Sequence, residues 1–79
     1  MLKTYRKRQA LAADLGVSKR IVEEATKGLR EHKDRYADAV IQSGKLTLLD
    51  REAVLDWIRY RDALEVGSRV PAFNREAYQ

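Results

Sequence analysis

Apolar residues recur at helical spacing in three stretches of the chain and alternate in a fourth. Tyr5, Leu11, Ala12 and Leu15 fall on one side of a helical wheel, and Ala10, Ala12 and Ala13 favour helix. This predicts a first helix over residues 5–15 with Thr4 as its N-cap. Gly16 ends it, because a helix commonly closes on a glycine that can take positive φ. Val17 follows as an apolar turn residue, and Ser18 is a good N-cap for a second helix over residues 19–30. The second helix turns Ile21, Val22, Ala25 and Leu29 inward. Arg20, Glu23 and Lys27 lie opposite, flanked by Lys19, Glu24 and Arg30, and Gly28 weakens the helix near its end.

Residues 31–38 are a polar connection containing Tyr36. Beyond it, A-V-I-Q, Ser43-Gly44 and K-L-T-L-L read as a β-hairpin. With Ser43-Gly44 as the loop, Gln42 faces Lys45 and Ile41 faces Leu46. Ala39, Ile41, Leu46 and Leu48 then share an apolar face, and Gln42, Lys45 and Thr47 a polar one. Asp50 caps a third helix from residue 51 to about 64, whose buried arc is Ala53, Val54, Trp57, Ile58, Tyr60 and Leu64. Arg61 sits within that arc one turn after Trp57, placed to stack on the indole or to pair with a carboxylate. Residues 68–79 hold the only proline, Pro71, and read as an extended tail whose apolar anchors are Val70, Phe73 and Tyr78. The tail docks either on the domain itself or on a partner.

Seventy-nine residues make one small domain, here residues 1–67 followed by the tail. A core this size supplies only about 3–5 kcal/mol, so homo-oligomerisation or cooperative assembly is a live expectation. No run approaches the roughly 18 apolar residues of a membrane span, and the N-terminal cations are not followed by an apolar stretch like that of a signal peptide. The absence of cysteine excludes disulfides and thiolate metal sites and points to the cytoplasm. One histidine, His32, three serines and no phosphate-cradling glycine loop argue against an enzyme, and no metal or other cofactor is expected. Charge changes the picture more. Residues 1–35 carry ten Lys/Arg against five acids, and residues 36–79 carry six against seven, which makes the overall +4 a property of the first half. A basic half beside a neutral one suits a polyanion-binding face.

Within that basic half lies Q-A-L-A-A-D-L-G-V-S-K-R-I-V-E-E-A-T-K-G-L. A helix-turn-helix needs a small residue where its helices cross, here Ala12, and a residue tolerant of positive φ in the turn, here Gly16. Leu11, Leu15, Val17, Val22 and Ala25 then fix the interhelical angle. The second helix becomes the recognition helix. Its exposed candidates for contact with double-stranded DNA are Ser18, Lys19, Arg20, Glu23, Glu24 and Lys27. Arg20 suits a bidentate contact to guanine, worth about 1–3 kcal/mol of discrimination, and Glu23 suits cytosine N4. The same side chains also form the i,i+4 pairs Arg20–Glu24 and Glu23–Lys27 of an ordinary solvated face, each worth about 0.2–0.5 kcal/mol. Two acids on this face favour sequence selection over indiscriminate coating. Lys3, Arg6 and Lys7 stand where a first helix crosses the phosphate backbone, and Lys45 is at the hairpin tip.

The order of these pieces resembles the winged-helix proteins of the phage and transposon excisionase type. It also resembles the DNA-binding domain of phage terminase small subunits. The resemblance spans about residues 7–73: a helix-turn-helix, a hairpin wing, "LLDREAVLDWIRYRDAL", and a "VPxF" tail seen here as Val70-Pro71-Ala72-Phe73, as in small proteins of Gram-positive phages and mobile elements. It implies a mainly helical α+β winged helix-turn-helix with a two-stranded wing. Ser18, Lys19, Arg20, Glu23 and Lys27 fall at recognition-helix positions and Lys45 at the wing. It further implies copies on adjacent DNA sites, with a recombinase or another phage protein as partner. A different class, a protein-interaction module such as an anti-repressor or assembly subunit working through the aromatic tail, is the competing expectation.

Overall fold

The computed structural model describes residues 4–79. It is a small α+β structure of three helices and a three-stranded antiparallel sheet, in the order β1 (Tyr5–Lys7), α1 (Arg8–Leu15), α2 (Lys19–Glu31), β2 (Val40–Ser43), β3 (Leu46–Asp50), α3 (Arg51–Glu65) and a closing 3-10 turn (Arg75–Tyr78). β3 is the central strand, between β1 and β2. Among the described residues no helix is long and apolar enough to cross a membrane.

The first helix is shorter than its pattern predicts. Tyr5, Arg6 and Lys7 are a strand pairing with Asp50, Leu49 and Leu48. Thr4, expected as a cap, instead accepts at its carbonyl from Arg51 N (2.9 Å). The cause is tertiary. Leu49 and Asp50 are fully buried, and without β1 one edge of that buried strand would keep unpaired backbone groups. The residues with real helix preference, Ala10, Ala12 and Ala13, all remain in α1.

The corner between α1 and α2 forms as expected. Gly16 is left-handed (φ 66°, ψ 33°), and Val17 N reaches back to Ala12 O (3.0 Å). Ser18 caps α2 by accepting from Ile21 N (3.3 Å). Val22, Ala25 and Leu29 are buried, while Ile21 is only half-buried. Gly28 is more than a weak point: a Cβ there would occupy the space of the Trp57 indole, so the glycine lets α3 lie against α2.

The hairpin differs by one loop position. Ser43 pairs with Leu46, and the two-residue loop is Gly44-Lys45 with positive φ only at Gly44 (59°). That is the glycine-first pattern of a type II′ turn, which fits the twist of the flanking strands. Moving the loop by one residue changes each cross-strand partner by two positions, so side-chain alternation is preserved. Ile41, Leu46 and Leu48 do share a face, but it is the outer one: Ile41 and Leu46 are each 41% exposed. The core is entered from the other face by Leu49 and Val40, with Ala39 buried just before β2.

α3 runs as predicted, with Ala53, Val54 and Trp57 buried and Ile58, Tyr60 and Leu64 half-buried. The pattern misses two carboxylates in its buried arc, Glu52 and Asp56, each 1% exposed. Asp50 stands at the N-cap position but makes no side-chain capping bond. Its oxygens accept instead from Arg75 Nη1 (2.6 Å) and Nη2 (2.5 Å), and Glu52 accepts from Gln79 Nε2 (3.2 Å). Asp56 accepts from Arg35 Nε (2.8 Å), the Tyr36 hydroxyl (2.5 Å) and the Tyr78 hydroxyl (2.5 Å). The tail is therefore folded back on its own domain. Phe73 packs edge-on to Tyr36, with ring centres 5.5 Å apart.

Candidate nucleic-acid interface

The end of β1 creates the site. β1 covers β3 only as far as Leu48, where Lys7 is the last paired residue, and the chain then leaves the sheet as α1. Beside the outer part of the hairpin this leaves an open cleft of about 360 Å³. Its lining comes from β1 and the start of α1 (Lys7, Arg8, Gln9), the start of α2 (Lys19, Glu23) and the hairpin (Lys45, Leu46, Thr47). Four cations from three segments thus share a wall with a single carboxylate. In a concave site beside low-dielectric protein, like charges focus the field on an incoming anion.

Of the residues marked from the sequence, Lys7, Lys19, Glu23 and Lys45 meet in this cleft. Arg20 does not line it; its side chain is 87% exposed and pairs with Glu24 at 3.3 Å. Glu24 also receives Arg61 Nη1 at 3.6 Å, while the Arg61 guanidinium lies 5.9 Å from the Trp57 ring centre, so both roles considered for Arg61 are realised. Glu24 is therefore engaged on its own surface, whereas Glu23 opens into the cleft. Ser18 is exposed at the start of α2, where its hydroxyl serves as the cap.

Two candidates fall elsewhere. Lys27 is exposed farther along α2 and lines grooves toward β2 and α3 rather than the basic cleft. Arg6 is exposed but alternates to the opposite side of β1 from Lys7, a consequence of strand rather than helix geometry. Lys3 lies outside the described residues. Arg8 and Gln9 were missed because they become wall residues only once α1 starts at Arg8. A cation directly preceding an alanine-rich segment was the available signal for Arg8.

The tail lies on other ground. Its polar anchors are Asp50, Glu52 and Asp56, and Arg35 Nη1 also donates to Pro71 O (2.6 Å). Neither Lys19 nor Arg20 is covered by it, since both are exposed. Burial and then the bond to Asp56 push the Tyr78 hydroxyl up to about 12, and the same causes raise Tyr36 further. Hydrogen bonding to Asp50 raises Arg75 against the opposing effect of burial. In comparisons with known proteins, the chain matches no family model, no curated protein and no solved structure.

Proposed function

We propose that the chain is a sequence-specific double-stranded DNA-binding protein of a phage or mobile element, built as a winged helix-turn-helix. It acts as an excisionase-like architectural factor or a transcriptional regulator. α2 enters the major groove, the β2–β3 hairpin is the wing on the adjacent backbone, and the start of α1 crosses the phosphates. The observation that carries this reading is the convergence of Lys7, Arg8, Lys19 and Lys45 on one cleft beside the open face of α2. Such an arrangement follows a curved polyanion better than it serves any small substrate. Arg20 can leave its exposed pair with Glu24 at little cost, because such pairs are worth only about 0.2–0.5 kcal/mol. The resemblance to excisionase-type proteins supports the mobile-element assignment.

The alternative is a protein-interaction module that uses the helix-turn-helix scaffold and the aromatic tail; of that tail, Phe73 packs on Tyr36 and Tyr78 donates to Asp56. The test is a gel shift over a salt series, with a duplex recovered from a randomised pool. Affinity is expected to fall steeply with salt, as each neutralised phosphate releases counterions. Replacing Lys19 and Arg20 by alanine should abolish specific binding while the circular dichroism spectrum is kept. Salt-insensitive binding, or affinity unchanged in that double variant, would refute the assignment.

A further inference from the structure

The basic cleft is lined by one apolar residue that the electrostatics do not explain. Leu46 lines it together with Lys7, Lys19, Glu23 and Lys45, and it is 41% exposed. An exposed leucine is ordinary in itself; the position of this one is not. It follows Lys45 at the hairpin tip and alternates onto the outer sheet face. It also stands beyond the last residue that β1 covers, so no third strand flanks it. Ile41 is equally exposed on the same sheet face but does not line the cleft, and Val66 lies at the far end of α3.

Resting on the DNA-binding reading above, we propose that Leu46 is a base-reading residue that contacts the C5-methyl group of a thymine at the edge of the major groove. The chemistry narrows the choice. Base edges in the major groove offer hydrogen-bond donors and acceptors, which Lys19, Glu23 and Gln9 in the same cleft can serve. Their one apolar feature is the thymine methyl. A leucine held at the mouth of a cationic cleft has no use for phosphate and would lose hydration there without return, unless it met an apolar group. Lys45, one residue earlier, keeps its ammonium for the backbone, so the two residues divide positioning from reading.

Deoxyuridine isolates the interaction, because it removes the methyl and leaves the hydrogen-bonding edge intact. A duplex recovered from a randomised pool by the unmodified chain is resynthesised with each thymine in turn replaced by deoxyuridine, and affinities are compared for that chain and for Leu46→Ala. One thymine is expected to be sensitive, with affinity falling about fourfold, the effect of one methyl group transferred out of water. In Leu46→Ala that position should become indifferent to the substitution. The inference is overturned if no thymine is sensitive, or if the sensitive position is equally sensitive in Leu46→Ala. It is likewise overturned if Leu46→Ala converts a dimer to a monomer in sedimentation and weakens every duplex alike, which would make the leucine a contact between copies. Those outcomes leave salt-sensitive duplex binding in place. Failure of the chain to retain any duplex would overturn the DNA-binding reading itself, and this inference with it.

Discussion

Arg75 grips Asp50 through both terminal guanidinium nitrogens, at 2.6 and 2.5 Å, fastening the last turn of the chain to the residue that opens α3. The carboxylate is fully buried and the guanidinium side chain only 16% exposed. Removing one partner of such a pair leaves an uncompensated charge in a low-dielectric site, which costs about 3–5 kcal/mol. A domain this small has roughly that much stability in total. Arg75→Ala is therefore expected to lower the urea midpoint severely or to unfold the domain at room temperature. Replacing Asp50 by asparagine in the same chain should recover part of the loss.

Gly28→Ala sets two effects of opposite sign against each other. Helix propensity favours alanine by about 1 kcal/mol. The added methyl, however, meets the indole of Trp57, and overpacking costs about 1–3 kcal/mol. A net loss in melting temperature is expected, with a shift in tryptophan emission as the ring moves. A gain in stability would show that α2 and α3 can separate freely at this crossing.

Two phenols make the tail sensitive to alkali. Both donate to Asp56, and both are raised above the ordinary tyrosine value of 10.0, chiefly by burial and then by that hydrogen bond, Tyr78 to about 12. The folded state thus favours the protonated phenols. The stabilisation from Tyr78 is fully present below pH 10 and is lost as pH rises through about 12, and that from Tyr36 is lost at higher pH still. The tyrosinate absorbance that Tyr36→Phe and Tyr78→Phe each remove is expected to develop late in the unmodified chain and together with loss of the folded circular dichroism signal. Tyr78→Phe should destabilise the chain by about 1.5–3 kcal/mol near neutrality, the worth of a hydrogen bond to a charged group.

The cations of the cleft should separate from Arg20 in their effects on DNA. Lys7→Ala and Lys45→Ala are each expected to weaken binding to all duplexes about equally and to reduce the log–log salt slope by about 1. Arg20→Ala should relax preference at one base pair, costing about 1–3 kcal/mol there. Gel shifts on a panel of single-base variants distinguish the two patterns. A uniform loss for Arg20→Ala would make it a backbone contact.

Much of this was legible in the residues themselves. The corner at Gly16, the Ser18 cap, α2 with its exposed Arg20, Glu23 and Lys27, and the run of α3 follow from local rules that tertiary context did not override. The first strand was not legible. Tyr5-Arg6-Lys7 has no strand pattern of its own and becomes one because buried β3 requires a partner. Nor was the outer placement of Ile41 and Leu46, because alternation shows which residues share a face but not which face meets the helices.

Sequence alone determined α2 and α3, the glycine corner and the concentration of positive charge in the first half, since propensity, capping and periodicity act between near neighbours. Tertiary structure decided that Lys7, Lys19 and Lys45 face one cleft, that Asp50 binds Arg75 instead of capping α3, and that the tail closes on its own domain. These are pairings between residues far apart in the chain. Their free energy comes from burial and charge compensation, which no local pattern encodes.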